Sequence, residues 1–207
     1  MKVRRALARA YWAVSRWKYV SPATPPEGGG ILIGAPHTSN WDFIIMLAIT
    51  SQAGIAAKFL GKHTLFEGPL GPLMRALGGF PVDRRNPQGI VDDIVRRVQA
   101  GDRFYLVVTP EGTRSKGEYW KSGFYRIAME TGLPITLGYV DRPTRTVGLG
   151  LTFKPTGDVS ADMDLVRAFY ADKTGHTPSR RTEPRLRDED ADSVGDAESA
   201  PPTDPAG

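Results

Sequence analysis

The chain has 207 residues, enough for one domain with a sizeable core. It has no cysteine, which excludes disulfides, thiol nucleophiles and thiolate metal sites; its 3 histidines lie far apart, which argues against a His-rich metal centre. Charge is unevenly spread: residues 1–154 hold 21 Lys+Arg against 11 Asp+Glu (+10), and residues 155–207 hold 6 against 12 (−6). A basic body suits phosphate-bearing partners such as anionic lipid, coenzyme A, acyl carrier protein or nucleic acid.

Residues 1–20 read as a helix, with Val3, Leu7, Ala10, Tyr11, Val14 and Trp17 at helical spacing. Six cations and no acid accompany Tyr11, Trp12, Trp17 and Tyr19 over this stretch. A helix cationic on one side and aromatic on the other suits an anionic membrane interface; packing against the domain is the plainer alternative. No apolar run approaches the roughly 18–20 residues of a membrane span, and the N-terminus lacks the apolar core of a signal peptide. The expected location is the cytoplasmic side of the membrane, peripherally bound.

Ser21 to Gly30 is a Pro/Gly linker. Gly30–Ala35 is a short apolar strand, followed by a helix from about Asn40 to Ser51 that Thr38 or Ser39 can cap. Ala56–Gly61 and Gly79–Val82 are further strands, with a short helix between them in Gly68–Leu77. Asn86-Pro87 starts a helix whose apolar face is Ile90, Ile94, Val95 and Val98, and Gly101 stops it. Arg103–Val108 is a strand and Ser122–Thr131 a helix. Leu133–Val140 and Thr146–Phe153 read as two adjacent antiparallel strands, and Asp162–Asp172 as a last helix. The fold class is therefore α/β: a mixed, mostly parallel sheet covered by helices on both faces. Three regions follow: an amphipathic interfacial helix over 1–20, a domain over 21–173, and an acidic tail over 174–207 that is expected to be disordered, being too poor in apolar residues to build a core.

Two polar loops end two of the strands. The first is His37-Thr38-Ser39-Asn40-Trp41-Asp42. A histidine at a strand end and helix start can take a proton from a hydroxyl, and Asp42 is near enough to hold its tautomer and steady the imidazolium. A backbone N–H at that helix start can stabilise an oxyanion. The second loop is Thr109-Pro110-Glu111-Gly112-Thr113-Arg114-Ser115. There Gly112 permits a tight backbone, Glu111 can hold a substrate hydroxyl, and Arg114 can bind phosphate; an internal Glu111–Arg114 ion pair is the alternative. Arg84 and Arg85 follow a third strand and carry forked donors suited to phosphate, or else pair with Asp83 or Asp92. Lys62 ends another strand and either adds charge to the same pocket or is simply solvated. His63 has no evident carboxylate partner, and His176 falls in the expected tail.

These elements together resemble the lysophospholipid and glycerophosphate acyltransferase family over roughly Ile31 to Val140. The His-x4-Asp block stands as His37 to Asp42, and a block ending in arginine as Gly79-Phe80-Pro81-Val82-Asp83-Arg84. A third block stands as Pro110-Glu111-Gly112-Thr113-Arg114-Ser115, and a weaker fourth as Leu133-Pro134-Ile135. The resemblance implies transfer of an acyl chain from acyl-CoA or acyl carrier protein to a hydroxyl of a (lyso)glycerophospholipid such as 1-acylglycerol-3-phosphate. It implies direct attack on the thioester with His37 as base and Asp42 holding it. Lys62, Arg84, Glu111, Gly112, Thr113 and Arg114 would form the substrate site. No cofactor, metal or nucleic acid is implied; the partners are a membrane lipid, the acyl donor and an anionic membrane surface. Another lipid or glycolipid acceptor, or a non-catalytic basic membrane-binding protein, are the competing readings. The run after the fourth block, Thr136-Leu137-Gly138-Tyr139, departs from the family pattern.

Overall fold

The computed structural model describes residues 2–22, 24–83 and 85–190. Helix α1 (Lys2–Val14) leads to the two-residue strand β1 (Lys18–Tyr19) and then β2 (Gly30–Ala35). There follow α2 (Trp41–Gln52), β3 (Ala57–Lys62), α3 (Gly71–Ala76), β4 (Gly79–Val82), α4 (Pro87–Gln99), β5 (Tyr105–Val108) and α5 (Gly123–Thr131). Strands β6 (Ile135–Asp141) and β7 (Thr146–Phe153) precede α6 (Val159–Tyr170).

The strands form one sheet in the order β1-β7-β6-β2-β5-β3-β4. Every neighbouring pair is parallel except β6 with β7, which is antiparallel. Alternation along the strands sorts side chains onto two faces. Ile31, Ile33, Leu106, Ile135 and Leu137 face α4, α5 and α6. Leu32, Tyr105, Val107 and Val140 face the side covered by α2. A parallel sheet with both faces covered sets its strand ends, rather than its faces, open to ligands.

Local chemistry explains the helix boundaries. Asn86 caps α4 by accepting from the Gly89 amide at 3.0 Å, with Pro87 in the first turn. Asp158 caps α6 through the Ala161 amide at 2.9 Å. At the start of α2 Asn40 is the cap residue; of the two expected capping side chains, the Ser39 hydroxyl accepts from the Trp41 amide at 3.2 Å, while the Thr38 hydroxyl accepts instead from the Thr177 amide at 2.9 Å.

Two expectations from the sequence change. Tyr11 and Trp12 of α1 pack against the core cluster under α2, with Trp17 and Tyr19, so these aromatics face the domain. The second change concerns residues 174–190, expected as tail. Their backbone is tied down: Asp141 pairs with Gly175, Trp120 pairs with Leu186, and Leu186 is fully buried. Burial alternates along Thr182, Pro184 and Leu186, while Glu183, Arg185 and Arg187 face out. Ion pairs flank it, Arg167–Glu189 at 2.6 Å and Arg181–Glu183 at 3.0 Å. One buried leucine, two isolated backbone bridges and the flanking ion pairs order a stretch whose composition alone reads as disordered. The rest of the expected tail, 191–207, lies outside the described residues.

Candidate active site

Strands β2 and β5 lie side by side and parallel, with Ile33 opposite Val108. Their C-terminal ends therefore deliver the His37 loop and the Glu111 loop to the same sheet edge. Strand β6 is parallel on the other side of β2, with Ala35 opposite Tyr139, so its end at Asp141 reaches that edge too.

The Nδ1 atom of His37 is 3.2 Å from Oδ2 of Asp42. The contact is close but not aligned as a hydrogen bond. The same Oδ2 accepts from the amides of Thr38 and Ser39, each at 2.8 Å. Those two bonds fix the carboxylate, which also sits in the first turn of α2, where the helix dipole favours negative charge. With Nδ1–H facing Asp42, Nε2 carries the lone pair that can take a proton.

Glu111 is placed differently from the expectation. It is 3 % exposed and turned inward. Its Oε1 accepts from the His37 amide and its Oε2 from the Thr182 amide, the latter at 3.4 Å. Burial raises its pKa, and the two amide bonds only partly oppose this. It lines neither cavity at the site and makes no ion pair with Arg114. Its position is that of a brace under the His37 backbone.

A cavity of about 250 Å³ opens at His37, bounded by Thr109, Gly112, Thr113 and Arg114. Gly112 has φ +69°, a left-handed conformation that glycine adopts without strain, and it turns the loop toward His37. A larger cavity of about 660 Å³ shares Thr113 and Arg114 with it and runs over the start of α2 to Arg142, His176 and Arg180. Of the expected site residues, His37, Asp42, Gly112, Thr113 and Arg114 thus come together. Lys62 is exposed at the end of β3, opposite Val82, and lines neither cavity. Arg84 lies outside the described residues. Arg85 pairs with Asp83 at 2.8 Å and holds its carboxyl down at about 2, so the ion-pair alternative holds for that arginine. Among the described residues no group of three His, Asp or Glu converges as a metal site, and no helix is long and apolar enough to cross a membrane.

Sequence reasoning missed Thr182, Arg142, His176 and Arg180. The first, third and fourth belong to the stretch taken for tail. The readable signal was the alternation Thr182, Pro184, Leu186 among charged residues, which is the pattern of a half-buried extended segment.

A histidine and aspartate at one strand end thus face a Gly-Thr-Arg loop at the next. The family profile described as Acyltransferase matches residues 16–137, and the chain belongs to that family. Among solved structures, the 1-acyl-sn-glycerophosphate (LPA) acyltransferase PlsC from Thermotoga maritima shares the fold with a TM-score of 0.55. The two are 20% identical, over 78% of this chain and 72% of that one. No curated protein sequence matches significantly.

Proposed function

We propose that the protein moves a fatty acyl chain from an acyl-CoA or acyl carrier protein thioester to a hydroxyl of a lysoglycerophospholipid such as 1-acylglycerol-3-phosphate. Nε2 of His37 takes the hydroxyl proton as the oxygen attacks the thioester carbonyl. Asp42 stabilises the imidazolium that forms. The tetrahedral intermediate then collapses, the C–S bond breaks, and the proton passes from His37 to the departing thiolate. In this reading the ester forms in one exchange, by direct attack of the hydroxyl and with no acyl-enzyme.

The observation that carries this reading is the His37–Asp42 pair at 3.2 Å on the rim of a cavity completed by Thr113 and Arg114. Arg114 supports an acceptor that carries phosphate, because its planar fork of N–H groups suits phosphate oxygens. Exposed Trp41 and Ile44 on α2 support an acceptor delivered from a lipid surface. The test is to incubate the purified protein with labelled acyl-CoA and a panel of lysolipids and to identify the product by mass. A diacyl product that His37→Ala fails to make supports the reading; product formation by His37→Ala at the wild-type rate removes it.

A further inference from the structure

The larger cavity beside the site is unusual in what lines it. Arg114, Arg142, Arg180 and His176 face it with the hydroxyl residues Ser39, Thr113, Ser115 and Thr177, and no aspartate or glutamate does. Among the described residues none of these three arginines has a carboxylate within ion-pair distance. Other described arginines are divided: Arg126 pairs with Glu130 and Arg167 with Glu189, whereas Arg103 and Arg145 have no ion pair; what sets Arg114, Arg142 and Arg180 apart is that they share one cavity. Like charges gathered in one concavity repel unless an anion sits among them.

The cavity is also held in shape. Arg142 donates one Nη1 bond to the His176 carbonyl at 2.9 Å, which pins the 174–182 segment across the end of β6. Its other guanidinium donors remain for a ligand. Thr177 donates its amide to Thr38 at 2.9 Å, one residue from His37. Gly175, at φ +73°, passes so close to Pro36 that a Cβ there would lie 2.9 Å from the proline Cβ. Arg142, His176 and Arg180 all lie beyond residue 137, where the family match ends.

We propose that the 174–182 segment, with Arg142, builds an anion subsite that takes a phosphate of the substrate while its reacting end lies at His37. A phosphate ester is the ligand chemistry that matches: a compact anion, several acceptor oxygens and a need for forked donors. It belongs either to the headgroup of the lipid acceptor or to the nucleotide end of the acyl donor. That assignment rests on the acyl-transfer reading; the anion subsite itself does not.

The full chain and its Arg180→Gln variant are titrated calorimetrically with coenzyme A and, separately, with glycerol 3-phosphate. Arg96→Gln, on the outer face of α4, is the control. Arg180 has no ion pair among the described residues, and an unchanged urea midpoint shows that the fold is kept. The expected result is about tenfold weaker binding of one probe to Arg180→Gln and wild-type binding of both probes to the control. Loss confined to coenzyme A assigns the subsite to the donor, and loss confined to glycerol 3-phosphate assigns it to the acceptor. Wild-type protein that binds neither probe, or binding that Arg180→Gln leaves unchanged, overturns the proposal. Arg180-dependent binding in a protein that acylates no lysolipid would instead refute the acyl-transfer reading and keep the subsite.

Discussion

The main-chain amide of His37 donates to the buried carboxylate of Glu111, 74 residues further on. The bond ties the two polar loops together through a buried side chain that lines neither cavity. Glu111 is thus a positioning residue: it sets where the His37 backbone lies, and Thr182 holds its other oxygen from the far side.

That burial has a pH signature. Desolvation raises the folded-state pKa of Glu111 above its ordinary 4.5. Between that value and the raised one, the folded protein holds more protons than the unfolded chain, so this group's contribution to stability falls as pH rises. Glu111→Gln keeps an acceptor oxygen for one of the two amides, turns an NH2 toward the other, and removes the titration. Urea midpoints of both proteins, measured from pH 4 upward, are expected to show the wild type losing ground to the variant as pH climbs above 4.5. Parallel curves would show that Glu111 is not desolvated.

Asp42 has two functions that one substitution separates. Asp42→Asn keeps an oxygen for the Thr38 and Ser39 amides, so the loop retains its hydrogen bonds. It removes the charge that steadies protonated His37. The expected outcome is an unchanged urea midpoint and a kcat lower by ~10²–10⁴-fold. Activity within a few-fold of wild type would take Asp42 out of the chemistry.

The alternation of strands and helices was legible because each short apolar run is bounded by glycine, proline or a cap residue. Both loops of the site were legible for the same reason, since each follows such a run. The inward turn of Glu111 was not, because only the parallel pairing of β2 with β5 puts the His37 amide within its reach. The aromatics of the first helix read as outward because Tyr11 and Trp12 are flanked by cations; their partners, on α2 and beneath it, come from later in the chain. The ordered 174–190 segment escaped composition because hydrogen bonds and ion pairs hold it, with Leu186 as its one fully buried apolar side chain.

Leu186 should accordingly carry much of that segment's attachment. It sits in the core cluster with Trp120 and Tyr170. Leu186→Ala removes buried methyl groups from a position that cannot refill, at a cost of about 2–5 kcal/mol. The check is the urea midpoint, together with amide exchange at Thr177 and Thr182. Faster exchange at those two amides is expected, because the segment they anchor loosens first. Protection as in the wild type would mean that the polar contacts alone hold the segment in place.

Arg114 and Lys62 make a paired test of where the acceptor lies. Arg114 lines both cavities at His37, whereas Lys62 lines neither. Removal of a charged donor that meets phosphate costs about 1.5–3 kcal/mol, which is roughly a ten- to hundredfold rise in KM. Arg114→Ala is expected to raise the KM for the lysolipid by that order, with kcat changed less. Lys62→Ala is expected to change it little, since its side chain stands at the end of β3 away from both cavities. Steady-state kinetics on the two variants decide between the sides of the sheet. A larger KM rise for Lys62→Ala would move the acceptor phosphate to the β3–β4 side and leave Arg114 as a brace for the loop.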